Sequence, residues 1–235
     1  MSSQSQWKKI DFDDVSIDVH ITNPTHTPVR GGIVMLHEIF GINKAMQQKA
    51  EKFADAGYLV AMPDLFWRSE RRINLGYGEQ DRKKGFSLMQ EFSFTKGIHD
   101  IIAVGSWVNK QQNCVERVGT LGFCIGGKLA ILAGAHKPFK AAIALYGVKL
   151  DDNTDLLRRY PVPVQVHVGD NDAHIPIEAS LNVQRALQES AAGEIFIYSG
   201  AQHGFFNASR TDTYDPQAAE LAQTRVLQFL DGALA

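Results

Sequence analysis

The sequence predicts an α/β fold with a mostly parallel sheet and helices on both faces. Two observations carry that expectation. Continuous apolar runs recur at 32–38 (GIVMLHE), 58–66 (YLVAMPDLF), 117–124 (RVGTLGFC), 141–147 (AAIALYG) and 162–169 (VPVQVHVG), as parallel strands buried on both faces require. Segments with helical spacing of apolar residues separate them, so strands and helices alternate from residue 32 to the end.

The elements follow in order. Residues 15–22 (VSIDVHIT) alternate apolar and polar and read as a half-exposed, antiparallel strand. The segment 22–32 (TNPTHTPVRGG) is a Pro/Gly/Thr loop. Residues 43–56 place Ala45, Met46, Ala50 and Phe53 on one helical face, and Gly57 stops the helix. Pro63 ends the strand that follows, and 64–80 is irregular and rich in Arg and Gly. Two helical patterns occupy 81–112, the second carrying Ile98, Ile101, Ile102 and Trp107. A helix opens at Gly126 after the strand ending at Cys124. Residues 177–190 are helical, 193–200 (GEIFIYSG) form a strand, and 216–232 form the closing helix. With no repeat and no long linker, residues 1–235 read as one domain.

Composition excludes several classes of function. The formal net charge of −2 creates no global field for nucleic acid or an acidic membrane surface. No apolar run approaches the roughly 20 residues of a membrane span. The polar N-terminus has no signal-peptide core. Two cysteines, Cys114 and Cys124, make no disulfide pattern, which fits a reducing, cytoplasmic setting. The expected state is a monomer.

Functional groups in such sheets gather at the carboxyl ends of the strands. His37-Glu38, Cys124, Asp170–Asp172 and His203 all fall there. The segment 122–128 (GFCIGGK) resembles a phosphate-binding loop, but Leu129 stands where such a loop needs Ser or Thr for magnesium. The alternative is a sharp strand-to-helix turn presenting a nucleophile, Cys124, with Gly122 and Gly126 leaving space for it. At a helix N-terminus the free N–H groups and the dipole favour a thiolate. The N–H of Ile125 then faces a developing oxyanion. Acid and base follow in chain order: Asp172 to orient, His203 to take the proton. Glu38, ending an earlier strand, faces the same crevice and opposes thiolate formation, and the N–H of Ile39 is the second oxyanion donor. A metal set of Asp170, Asp172, His167 and His174 matches no standard ligand spacing, and His167 falls inside a buried strand.

The stretches HEIFGIN, PDLFWR, GFCIGGKLA, YGV, GDNDAHIP and AQHGFF, spread over 35–206, resemble the dienelactone hydrolase (carboxymethylenebutenolidase) family of the α/β-hydrolase fold. The resemblance implies a Cys124–His203–Asp172 triad and a small lactone or ester substrate that carries a carboxylate. It implies a thioacyl intermediate and no cofactor or metal. It also implies that Glu38 contacts the resting thiol and swings away when an anionic substrate binds. Arg82 aligns with a carboxylate-binding arginine. Phe86 stands where active members have tyrosine. Gly204 and Asn207 stand where the family often has serine and arginine, with Arg210 displaced nearby. The alternatives are a carboxylesterase of other scope, a thiol redox sensor, or an inactive interaction module on the same fold.

Overall fold

The computed structural model describes residues 4–12, 15–24 and 28–235. Eight strands form one sheet: β1 (Gln4–Phe12), β2 (Val15–Asn23), β3 (Gly31–Leu36), β4 (Tyr58–Pro63), β5 (Val118–Phe123), β6 (Ala141–Leu145), β7 (Val164–Gly169) and β8 (Gly193–Tyr198). Their order is β1-β2-β4-β3-β5-β6-β7-β8. From β4 to β8 neighbouring strands are parallel, whereas β1 and β2 add an antiparallel edge. The helices are α1 (Lys44–Asp55), α2 (Glu79–Glu91), α3 (Phe94–Asn109), α4 (Ile125–Gly134), α5 (Thr154–Arg158), α6 (Ile177–Gln188) and α7 (Pro216–Ala233).

Side chains alternate across the sheet, so each strand feeds two cores. In β3, Ile33 and Met35 join the core with Phe53 of α1 and Val226 and Leu230 of α7. Val34 and Leu36 join the opposite core with Val104 and Val108 of α3 and Leu129 of α4. In β6, Ile143 faces the first core and Ala142 and Ala144 face a third, under α6. Burial on both faces is why these strands read as unbroken apolar runs.

Two features depart from the expectations. The strand β1 carries almost no apolar pattern; of its residues only Ile10 is fully buried. It is held by backbone pairing with β2 along its whole length. The strand β2 is buried rather than half-exposed from Ile17 to Thr22, including Asp18. Arg71 and Arg72, from the irregular segment after β4, cover it and bond Asp18 at 2.8 and 2.7 Å. Part of the 22–32 loop lies outside the described residues. No helix of the described residues is long and apolar enough to cross a membrane.

His167 is fully buried in β7, between the Tyr198 hydroxyl at 2.8 Å and Gln165 Oε1 at 2.7 Å. Burial pushes its pKa down from 6.5 to about 3. Between those values the unfolded chain binds a proton that the folded chain refuses. This contribution to stability is therefore complete above pH 6.5 and is lost as pH falls below it. Urea unfolding at pH 6.5 and pH 5 should show a loss steeper by about 1.5 kcal/mol in the wild type than in His167→Gln. Equal slopes would remove His167 from the acid response.

Candidate active site

The turn between β5 and α4 is built by sterics. Cys124 sits at φ 57°, ψ −118°, a conformation that costs a non-glycine residue about 1–3 kcal/mol. Its flanks leave no room for side chains. A Cβ on Gly122 would lie 1.9 Å from the Gly126 oxygen, and one on Gly126 would lie 2.3 Å from the Leu36 oxygen. The Cys124 carbonyl accepts from Gly127, Lys128 and Val148 N–H at 3.0, 3.3 and 3.3 Å. The peptide is trans, so its other edge, the Ile125 N–H, points away from those donors.

A similar arrangement stands at the end of β3. His37 is fully buried; its Nε2 accepts from Leu65 N–H at 3.1 Å, so Nδ1 carries the proton and donates to the Glu38 carbonyl at 2.6 Å. Burial holds its imidazole neutral, with a pKa lowered to about 4. The same trans geometry turns the Ile39 N–H away from that bond. Neither the Ile39 nor the Ile125 N–H donates to a backbone carbonyl among the described residues.

Asp172 accepts on Oδ1 from the N–H groups of His174 and Ile175, at 2.7 and 3.1 Å. Its Oδ2 is left for His203 Nδ1 at 2.8 Å. The imidazole is thereby oriented with Nε2 as its free nitrogen, and His203 and Cys124 line one cavity. Burial acts to lower the pKa of His203. Negative charge on Cys124 and Asp172, with the bond to Asp172, outweighs it and pushes the value up to about 10. The Tyr146 ring meets His203 edge-on, with centroids 5.1 Å apart.

Glu38 lines the same cavity as Cys124. It is 3% exposed, and its oxygens accept from Tyr146 Oη at 2.9 Å and from Asn207 Nδ2 at 3.2 Å. No hydrogen bond joins it to Cys124 among the described residues. The Asn207 amide is oriented by its own loop. Its Oδ1 accepts from Ser209 N–H at 3.1 Å, which turns the amide nitrogen toward Glu38 and toward Tyr77 Oη at 2.9 Å. Asn43, the α1 N-cap, also donates to Tyr77 Oη, at 3.1 Å. Sequence reasoning misses Tyr146, whose hydroxyl donates to Glu38, and Tyr77, whose hydroxyl accepts from Asn207 and Asn43, because nothing in their local sequence marks these contacts. Lys49, 5% exposed and with no hydrogen-bond partner among the described residues, feels the Glu38 charge, while burial lowers its amine to about 8.

A cavity of about 260 Å³ opens over Cys124 and His203. Ile39, Phe40, Arg82, Phe86, Val148, Lys149, His174 and Arg210 are among its walls. That volume suits a small ligand. Arg82 and Phe86 both line the cavity. Asn207 and Gly204 do not line it. Asn207 is consumed by Glu38 and Tyr77, and Gly204, at φ 86°, makes room for Arg210: a Cβ there would lie 2.4 Å from Arg210 Nη1. Lys128 bonds Asp152 at 3.3 Å and faces away from any phosphate role. His167 is occupied by Tyr198 and Gln165 and does not join Asp170, Asp172 and His174 in a cluster.

The sheet order and the turn at Cys124 define the class: an α/β-hydrolase fold with a sharp strand-to-helix turn after β5. Within it, the chain belongs to the dienelactone hydrolase family, which matches over residues 17–234. It is 30% identical over 199 residues to the carboxymethylenebutenolidase of Pseudomonas putida, covering 84% of each chain. It is 28% identical over 203 residues to that of Pseudomonas sp. strain P51, covering 86% of this chain and 84% of that one. In structure it is similar to a dienelactone hydrolase-like promiscuous phosphotriesterase from metagenomic libraries, with a TM-score of 0.80, 16% identity and full coverage of both chains. That last likeness is one of fold. The family relationship makes the chain a carboxylic ester or lactone hydrolase.

Proposed function

We propose that this chain hydrolyses small activated esters or lactones, anionic ones above all, through a thioacyl intermediate on Cys124. The observation that carries this reading is a cysteine held at φ 57° on a helix N-terminus, facing one cavity with a His203 that is bonded to Asp172. His203 takes the thiol proton, and the sulfur adds to the carbonyl carbon. The oxyanion accepts from the N–H groups of Ile39 and Ile125. The C–O bond to the leaving group breaks, and that group takes the proton from His203. Water, deprotonated by His203, then adds to the thioester and releases the acid and the thiol. Asp172 holds the imidazole in the tautomer both steps need.

Rapid quenching of the protein with p-nitrophenyl acetate, followed by peptide mass analysis, should find one acetyl group on Cys124. Absence of both the acyl group and turnover, on this ester and on dienelactones, would sink the proposal.

Glu38 restrains the thiol when it is freed, and its two hydrogen bonds keep it aside. Asn207→Leu removes one bond to a charged group, worth about 1.5–3 kcal/mol. Iodoacetamide alkylation of Cys124 at neutral pH should then slow by about tenfold, and Glu38→Gln in the same background should restore it. An unchanged rate in Asn207→Leu would show that Asn207 does not restrain Glu38.

A further inference from the structure

In the sheet, β5 lies between β3 and β6, so Cys124 stands between two cavity walls. Beyond β3, Ile39 packs on α2, where Gly85 lies against it, and α2 brings Arg82. Beyond β6 come Val148 and Lys149. The charge on these walls differs in availability. Arg82 donates from Nε to the Tyr77 carbonyl at 3.1 Å and from Nη2 to Asp212 at 3.2 Å. Arg210 Nη2 stands 3.9 Å from the same carboxylate. Asp212 therefore offsets part of the positive charge on that side.

Lys149 has no ion pair and no side-chain hydrogen bond among the described residues. Its place is fixed by the backbone rather than by a partner. The chain leaves β6 through Tyr146 at φ 40°, the Val148 N–H bonds the Cys124 carbonyl at 3.3 Å, and Lys149 itself sits at φ 53°. Left-handed backbone at a lysine is unfavourable, and nothing in the turn's own hydrogen bonding requires a lysine there. The strained turn places an unpaired ammonium on the wall beside the nucleophile.

We propose that Lys149 is the specificity-determining residue for anionic substrates, receiving the substrate carboxylate on the β6 side while Arg82 stays engaged with Asp212. This rests on the hydrolase reading above and adds to it a residue and a direction of binding. Lys149 is exposed at the cavity wall, so solvent screens its ion pair and its contribution is that of a surface pair.

The test compares two esters of matched acyl length, p-nitrophenyl hemiglutarate, which is anionic, and p-nitrophenyl valerate, which is neutral. In Lys149→Met the ratio of their kcat/KM values should fall about three- to fivefold, mainly through KM for the hemiglutarate. Lys149→Arg should keep most of the ratio, and Arg82→Met should lower it less than Lys149→Met does. A ratio unchanged in Lys149→Met, or an effect carried by Arg82→Met instead, overturns the assignment. A second measurement does not need turnover: glutarate should protect Cys124 from iodoacetamide in the wild type and far less in Lys149→Met. If neither ester is hydrolysed but this protection holds, the hydrolytic reading fails and the anion site stands. Equal protection in both proteins, or none in the wild type, removes the anion site.

Discussion

Replacing His203 with alanine is expected to lower kcat on p-nitrophenyl acetate by roughly 10²–10⁴-fold, the usual contribution of a positioned general base. Two features of the imidazole make it the base. Its Nδ1 is committed to Asp172 at 2.8 Å, so only Nε2 is available to a thiol. Its pKa is pushed up to about 10 against the effect of burial, chiefly by the charge of an ionised Cys124. The alanine variant would lose the proton acceptor and the countercharge together. Cys124→Ser should lose activity as severely, because a serine hydroxyl in a site shaped for a thiol lacks the thiol's readiness to ionise. Steady-state rates with active-site titration would check both. A His203→Ala enzyme that kept full kcat would place the base elsewhere.

The second large effect is expected at Gly122. Alanine there brings a Cβ to 1.9 Å from the Gly126 oxygen and 2.7 Å from the Gly127 nitrogen. Those are backbone atoms of α4 and cannot rotate aside. The helix start or the strand end must move, at a cost of about 3 kcal/mol, or roughly 10 °C in Tm for a chain of this size. The shift also displaces the Ile125 N–H and the sulfur, so residual turnover should fall by more than the unfolded fraction explains. Gly119 is the control, in the same strand: its added Cβ would meet only ordinary contacts at 3.5 Å. Gly119→Ala should stay within about 1 kcal/mol of the wild type. Similar thermal melts for the two variants would show that the tight corner is not rigid.

The parts of this molecule legible in the sequence are those set by local rules. The doubly buried strands β3 to β7 announce themselves because both faces are covered. The boundaries of α1 follow from Asn43 and Gly57. The strand β1 is hidden in the sequence because backbone pairing, not side-chain pattern, keeps it in the sheet. The burial of β2 is hidden because the cover comes from Arg71 and Arg72, some 50 residues away in sequence.

The candidate site divides in the same way. Cys124, Asp172 and His203 can be named from the sequence, since each follows a strand and the parallel sheet delivers strand ends to one edge. Asn207 and Gly204 cannot: the alignment assigns both to substrate, and neither reaches the cavity. Their neighbours in space, Glu38 and Tyr77 for one and Arg210 for the other, are set by how the loops after β3, β4 and β8 stack.

By itself, then, the sequence determined the layered α/β architecture and the glycine-flanked cysteine corner, because apolar period and backbone sterics act over a few residues. The tertiary structure alone decided where Glu38 rests, which cations over the cavity are already paired, and that Lys149 has no ion pair among the described residues. Those outcomes depend on hydrogen bonds and charges between residues far apart in the chain, whose partners exist only once the sheet has brought the loops together.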